Sequence, residues 1–315
     1  MRAAAILGLG CSPKDLRPFQ TGHEIDWRTG LPAAADQADA ILLFGGDGTI
    51  HRHLGPLVKL GLPVLIVPAG SGNDFARALG LRRIRDSVSA WRSFCAAQAS
   101  DRIAGKTERK GNVRTIDLGV VTPIEAAAGE GEQGIARDSL PGTPSFFCSV
   151  AGIGLDSAVA RRAGGLPRWL RGHGGYALAL APTLFTFASK RMTISILENN
   201  SAWAPRSDQS TLLAAFANTS TYGGGMKIAP RAEMDDGQLD VCVIGGMGRF
   251  RLACLFPTVY FGCHLRVREV THFRAARSRL ITESPLEIYA DGEFVCRTPA
   301  ELSVAPGALR VISNT

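Results

Sequence analysis

The first third of the chain alternates two kinds of apolar pattern. Residues 3–9, 40–44 and 63–67 are short continuous apolar runs followed by turn residues, as expected of strands buried on both faces. Between the last two, Ile50, Leu54, Leu57 and Val58 recur at helical spacing. Farther on, Ser87 is placed to cap a helix whose apolar side is Val88, Trp91 and Cys95. Strand, helix and strand at this spacing predict a parallel sheet with crossover helices.

The pattern changes near Arg114. From there the chain runs in short alternating segments, IDLGVV, SFFCSVAGIG, RMTISIL, STLLAAFAN, LDVCVI, LEIYA, EFVCR and LRVI, with turn signals between them. That predicts an antiparallel β-sandwich or barrel. Residues 122–143 are rich in Gly, Ala and Glu and poor in large apolar side chains, and are read as a mobile surface insertion. The expected organisation is an α/β domain over residues 1–114, then a β-sandwich-like domain over 115–305. The tail, 306–315, is expected to return to the first domain.

Composition changes this picture little. The 315 residues are 45% hydrophobic and 20% charged, the balance of an ordinary globular protein. The net charge of +7 is carried by arginine, since only six lysines occur, and it favours anionic partners without choosing among them. Nucleic acid has no motif behind it. The seven cysteines, an odd number, form no CxxC pair, which argues against a zinc site or disulfide framework and for a reducing cytoplasm. The opening MRAAAILGLGC has the outline of a lipoprotein signal, but its apolar run is only about eight residues long. It is read as a first strand. No uncharged apolar run reaches the ~18 residues of a membrane span.

Two glycine-rich loops carry the candidate chemistry. GGDGT at 45–49 follows a strand and opens a helix, where bare backbone lets a ligand approach and the first N–H groups attract an anion. It is neither a Walker A loop nor a dinucleotide GxGxxG. A tight turn needing positive φ would account for it equally well. PAGSGNDFARALG at 68–80 also follows an apolar strand and opens a helix, with Asn73 or Asp74 placed to cap it. Two such loops at the carboxyl ends of neighbouring parallel strands mark the place where open α/β sheets bind ligands.

GGDGT followed by PAGSGNDFAR resembles the catalytic domain of the diacylglycerol kinase and sphingosine kinase superfamily, above all its bacterial lipid kinases. FFCSVAGIGLDSAVA, ANTSTYGGGMKIAPRAEMDDGQLDV and LEIYADGEFVCRTPAELSVAPGALRVI extend the likeness over residues 40–312, the insertion excepted. The resemblance implies a nucleotide-binding α/β domain followed by a β-rich domain, with the active site in the cleft between them. It implies transfer of the γ-phosphoryl of ATP to a lipid hydroxyl with Mg²⁺, diacylglycerol being the default acceptor. Gly45, Gly46, Asp47, Gly48 and Thr49 would hold the nucleotide, helped by Gly70, Ser71 and Asn73. A magnesium ion would take the Asp236 carboxylate and the main-chain carbonyls of Glu233 and Gln238. Asp-Gly between apolar segments is also an ordinary turn, at 236–237 and again at 291–292. Glu293 is the transferred proton acceptor, with Asp47 as its competitor.

Two departures stand out. The opening loop ILGLGCSPKD keeps Gly10, Ser12 and Lys14 but not the family's NPxSG-like motif. Asp26 is expected at a nucleotide-proximal position that is usually threonine. Two rivals share parts of the pattern: a soluble metabolite kinase like NAD kinase, and a nucleotide- or lipid-binding relative without turnover. The partners expected are a lipid alcohol, an anionic membrane surface met from the cytoplasm, and, as an option, a second copy of the chain. The membrane contact is expected at Arg161, Arg162, Arg168 and Arg171 around Leu166, Trp169 and Leu170, and a lipid groove along residues 166–188 and 252–265.

Overall fold

A run of apolar residues with no polar face can only be a strand covered on both sides, and the amino-terminal unit is built that way. The computed structural model describes residues 1–20, 24–124, 142–165, 182–184, 186–199 and 201–314, except 104–111. The chain forms two units, Met1–Asp117 with Gly307–Thr315, and Leu118–Pro306.

In the first unit β1 (Arg2–Leu7), β2 (Asp26–Thr29), β3 (Ala40–Gly45) and β4 (Val64–Pro68) are parallel, in the spatial order β4-β3-β1-β2. Every residue of β3 and β4 is buried. The end of the chain returns to this unit, where Val311 pairs with Val64 of β4. Helix α1 (Asp47–Leu60) buries Thr49, Ile50, Leu54 and Leu57 and stops at Gly61, whose φ of 61° only glycine adopts without strain. Val58, expected on that apolar side, is half-buried.

The third helix corrects the expected cap. α3 (Ile84–Ile103) opens three residues before Ser87, and Asp86 accepts the Arg83 N–H at 2.8 Å at its start. Ser87 lies inside the helix, fully buried, and donates to the Ile66 carbonyl at 2.9 Å. Its hydroxyl therefore fastens helix to strand, a bond worth about 1 kcal/mol. Trp91 fastens the same helix to the short helical turn after β1, its indole N–H donating to the Phe19 carbonyl at 3.1 Å.

The second unit is antiparallel. Its strands are part of β5 (Val113–Pro123), then β6 (Ser145–Phe147), β7 (Val150–Gly154), β8 (Lys190–Glu198), β9 (Ala202–Ala217), β10 (Leu239–Gly245), β11 (Val270–Ala275), β12 (Arg277–Thr282), β13 (Glu287–Ala290), β14 (Glu293–Arg297) and the start of β15 (Ala300–Ile312). They run in the order β14-β13-β7-β9-β8-β12-β15, with β10 and β11 continuing from β9 and β6 pairing β5. The long β9 serves two neighbourhoods: residues 202–211 pair β8, while residues 213–217 lie between β7 and β10.

Period-two alternation divides the core of this unit. Ala214, Phe216, Val241 and Val243 face one cluster, with Met192 and Leu280. Ala215, Ala217, Cys242 and Ile244 face another, covered by α4 (Leu155–Gly164) and α5 (Arg249–Phe261). Neither helix was expected within a region of alternating segments. The segment SFFCSVAGIG is two strands rather than one, because Asp291 accepts the N–H groups of Cys148 and Ser149 between them. Most of the expected insertion, residues 125–141, lies outside the described residues, and so do residues 166–181.

Candidate active site

The strand order creates the site in the first unit. From β1 the chain passes to β2 on one side, then to β3 on the other. The carboxyl ends of β1 and β3 therefore diverge, the topological switch point at which open α/β sheets bind ligands. Three glycine-bearing loops meet there. Gly8, just after β1, donates to the Phe44 carbonyl at 2.7 Å, and a Cβ on it would stand 2.6 Å from that oxygen. A Cβ on Gly46 would stand 2.9 Å from the Gly70 Cα, and one on Gly70 would stand 2.4 Å from the Gly46 Cα. GGDGT and GSGND thus touch backbone to backbone.

This contact explains the bare sequence. Gly45, Gly46 and Gly48 are absent from the positive-φ positions, so a turn needing left-handed backbone does not account for them. Gly45 and Gly46 are small because Thr49 packs onto the first and the facing loop onto the second. Thr49 is buried between Gly8 and Gly45, whereas Ser71 is exposed. The loops bring the start of the fourteen-residue α1 to this edge, with the partial positive charge of its first turn.

The capping role that the sequence gives to Asn73 or Asp74 falls to Asp47. Asn73 stands before α2 (Asp74–Ala78) at φ 54° but makes no capping bond. Its amide closes the loop on Gly70 instead, accepting from the N–H at 2.9 Å and donating to the carbonyl at 2.6 Å. The cap comes from across the site: Asp47 accepts the N–H groups of Asp74 at 3.1 Å and Phe75 at 3.2 Å. Asp47 is therefore a clamp between the two loops.

The altered first loop has its own support. Asp15 accepts the Ser12 N–H at 2.7 Å, Gly10 has φ 85°, and Lys14 is exposed. Asp26 requires a correction. It opens β2 opposite Arg2, at the amino end of the sheet, while the glycine loops lie at the carboxyl end. The β2 residue on the loop side is Thr29, opposite Ala5.

In the second unit, strand register gathers three sequence motifs at one sheet end. Val150 pairs Ala217, Asp240 pairs Ala217 and Ala151 pairs Ala290. The turns beside these residues hold Cys148 and Ser149, Asn218, Asp236 to Gln238, and Asp291 to Glu293. Asn218 is fully buried and donates to the Cys148 carbonyl at 3.1 Å. Asp291 and Gly292, at φ 52° and 85°, form the two-residue hairpin turn between β13 and β14. Asp291 also ties that turn to the Cys148–Ser149 backbone, so the turn reading and a positioning role hold together. Glu293 follows it, exposed, its side chain without a hydrogen bond or ion pair among the described residues.

The DDG loop holds a cation of its own. Asp236 accepts the Gln238 N–H at 3.0 Å, and its second oxygen, out of hydrogen-bond geometry, stands 3.2 Å from the Arg274 guanidinium. Arg274 also lies 3.4 Å from the buried Asp240 carboxylate and donates to the Arg231 carbonyl at 3.0 Å. The two inward carboxylate oxygens already face one positive group. No cluster of three His, Cys, Asp or Glu side chains able to hold a metal occurs among the described residues. As placed, the Arg274 guanidinium occupies the side of the Asp236 carboxylate that a cation would share.

The expected lipid groove along 166–188 and 252–265 coincides in part with a small apolar pocket of the second unit, with a cavity volume of about 40 Å³, to which Leu184 also contributes. Leu213, Ile228 and Ile244 line it with Leu252, Leu255 and Val259 of α5, and its two polar side chains are Asp156 and Tyr222. They are joined by a 2.8 Å hydrogen bond from the tyrosine hydroxyl. The sequence signal was the bare AGIG before Asp156: a Cβ on Gly152 would collide with the Asp156 carboxylate at 1.7 Å.

Comparison with known proteins bears on both units. A profile of the diacylglycerol kinase catalytic domain matches residues 12–107, and one of the YegS C-terminal NAD kinase beta sandwich-like domain matches residues 149–313. A diacylglycerol kinase of Mycobacterium tuberculosis (strain H37Rv) is 34% identical over 281 residues, spanning 89% of this chain and 78% of that protein. A diacylglycerol kinase of Bacillus subtilis (strain 168) is 24% identical, over 85% and 76% of the two chains. The crystal structure of a diacylglycerol kinase from Bacillus anthracis str. Sterne superposes with a TM-score of 0.61 at 17% identity, over 99% of this chain and 96% of that one, a likeness of fold. Two domain profiles in the right order and a relative at one-third identity lead to one assignment: this chain belongs to the diacylglycerol kinase family of lipid kinases.

Proposed function

We propose that the protein transfers the γ-phosphoryl group of ATP to the hydroxyl of a membrane lipid alcohol, with diacylglycerol as the first candidate. The observation that carries the acceptor class is the pocket of the second unit. Its walls are aliphatic, and a single tyrosine–aspartate pair supplies the polar contact that a lipid hydroxyl or ester needs. A polar metabolite acceptor, as in NAD kinase, would leave those walls facing water.

Phosphoryl transfer asks the protein for position and charge rather than covalent chemistry. Gly45, Gly46, Gly48 and Thr49 would shape the phosphate loop, and Gly70, Ser71 and Asn73 its partner. Magnesium, arriving with the nucleotide, would neutralise phosphate charge. Asp47 keeps the loops together through α2. That commitment favours the unpaired Glu293 as the group that takes the lipid hydroxyl proton. The reading places the enzyme at the cytoplasmic face of a membrane.

Purified protein with γ-labelled ATP and a panel of diacylglycerol, phosphatidylglycerol, sphingosine and NAD, resolved by chromatography, tests the reading. Labelled lipid is the expected product. Label on NAD alone would favour the metabolite kinase, and nucleotide binding without any labelled acceptor would favour a non-catalytic relative.

A further inference from the structure

Helix α5 is apolar on two faces. Leu252, Leu255 and Val259 point inward and line the pocket. Phe250, Cys254, Pro257 and Phe261 recur at steps of four, three and four, one straight stripe along the outer face, and all four are exposed. Phe250 is 84% exposed, Phe261 76% and the adjoining Tyr260 40%. Scattered apolar residues on a surface need no explanation, but aromatic residues aligned on one helix do.

The charge around the stripe is predominantly positive. The helix contains no acidic residue. Arg249 and Arg251 flank its start, where Arg268 joins Arg251 through Glu269, and Arg266 and Lys227 lie around its end, where the Lys227 N–H donates to the Val259 carbonyl. Glu269, which pairs with Arg251 and Arg268, is the acidic side chain in contact with this ring. Arg249 and Arg266 make no ion pair among the described residues. The expected membrane contact of the arginines at 161–171 has less support: Arg161 lies 3.9 Å from Glu287, and Arg168 and Arg171 lie outside the described residues.

We propose that the outer face of α5 is the surface that docks on an anionic lipid bilayer, with the aromatic stripe immersed at the headgroup boundary and the arginines on the phosphates. An exposed apolar stripe within a basic surround is the chemistry of an interfacial helix. A second copy of the chain fits less well. The exposed parts of the three aromatics amount to about 400 Å², taking ~200 Å² for a whole side chain, against about 800 Å² per partner in a stable interface. The proposal rests on the lipid-kinase reading only for its purpose. The same helix walls the pocket, so docking would present the acceptor cavity to the membrane that contains the acceptor.

Vesicle binding, measured without ATP or acceptor, tests this separately from catalysis. Sedimentation with phosphatidylcholine vesicles containing 30% phosphatidylglycerol is expected to exceed that with pure phosphatidylcholine and to fall at 0.5 M salt. Phe250→Ser with Phe261→Ser is expected to weaken binding at least tenfold at unchanged melting temperature and nucleotide affinity. An environment-sensitive dye on Cys254, with Cys11 and Cys263 changed to Ser, should shift to the blue on the anionic vesicles. Equal binding by wild type and double variant, or a dye indifferent to vesicles, overturns the proposal. So does a concentration-dependent dimer that the double variant abolishes while vesicle binding persists. Absent lipid phosphorylation with intact, stripe-dependent binding would instead count against the function alone.

Discussion

Two carboxylates compete for the role of base, and their surroundings separate them. Glu293 is exposed, its side chain without a hydrogen bond among the described residues, directly after an anchored turn. Glu293→Gln is therefore expected to leave the melting temperature and ATP affinity unchanged while turnover falls by the ~10²–10⁴-fold typical of a lost general base. Asp47→Asn differs, because Asp47 accepts two N–H groups of α2. An amide supplies one acceptor oxygen where the carboxylate supplies two, so one helix N–H is left facing an NH₂ group. Loss of such a cap costs about 1 kcal/mol. Lower melting temperature, weaker ATP binding and lower turnover are expected together. Stopped-flow turnover, nucleotide titration and calorimetry on both variants check this; near-normal turnover in Glu293→Gln would return the base to Asp47. The sequence marked both residues as chemical, yet it could not show that one is a clamp. The bonds of Asp47 reach 27 and 28 positions along the chain.

At the scale of elements, loops are held by what they touch. Gly70→Ala would put a methyl group 2.4 Å from the Gly46 Cα, a backbone atom, and 3.0 Å from the Asn73 Oδ1 that closes the loop. Overpacking of this kind costs about 1–3 kcal/mol. Here it would part the loops, so ATP affinity should fall more than stability does, as isothermal titration beside a melting curve would reveal. The DDG loop yields a second expectation. Arg274 meets Asp236, and Asp240, whose side chain is 1% exposed and otherwise bonded to His272. Arg274→Met leaves that buried carboxylate short of its counter-charge. The loss should approach the low end of the ~3–5 kcal/mol seen when a buried pair is broken, because the guanidinium is itself 36% exposed. Chelators should leave the wild-type melting curve in place; a large downward shift with EDTA, reversed by Mg²⁺, would restore a metal to this loop.

At the scale of the molecule, one buried titratable group couples folding to pH. His264, in the turn after α5, is fully buried, with one ring nitrogen on the Ile228 carbonyl at 3.1 Å. Burial, with a smaller contribution from His272, holds its pKa below the usual histidine value, against the opposing pull of that carbonyl. The unfolded chain then binds a proton that the folded chain refuses. Stability is complete above the unfolded pKa, near 6.5, and is lost as pH falls below it, by at most about 1.4 kcal/mol per pH unit for one proton. Melting temperatures from pH 7.5 to 5.5 should slope downward with acid. His264→Gln should lie lower at pH 7.5 and slope less, and an equal slope would assign the effect to other groups.

The sequence by itself determined the strands and α1 of the first unit, the two glycine loops, the antiparallel character of the rest and the family. Each is a local property: apolar period, turn chemistry and ordered motifs are written in consecutive residues. The segments it misread are those that long-range contact decides. Ser87 has the chemistry of a cap and is a helix-to-strand fastener, because Ile66 waits 21 positions away. Asp26 was read toward the nucleotide, but parallel register sets it at the amino end of the sheet. Helix α5 escaped notice because both its faces are apolar, which erases the helical period. Only packing shows which face is core and which is left open. The glycines of GGDGT are the clearest case: their presence was legible, but the reason for Gly46, another glycine loop too close to admit a Cβ, existed only once the chain had folded.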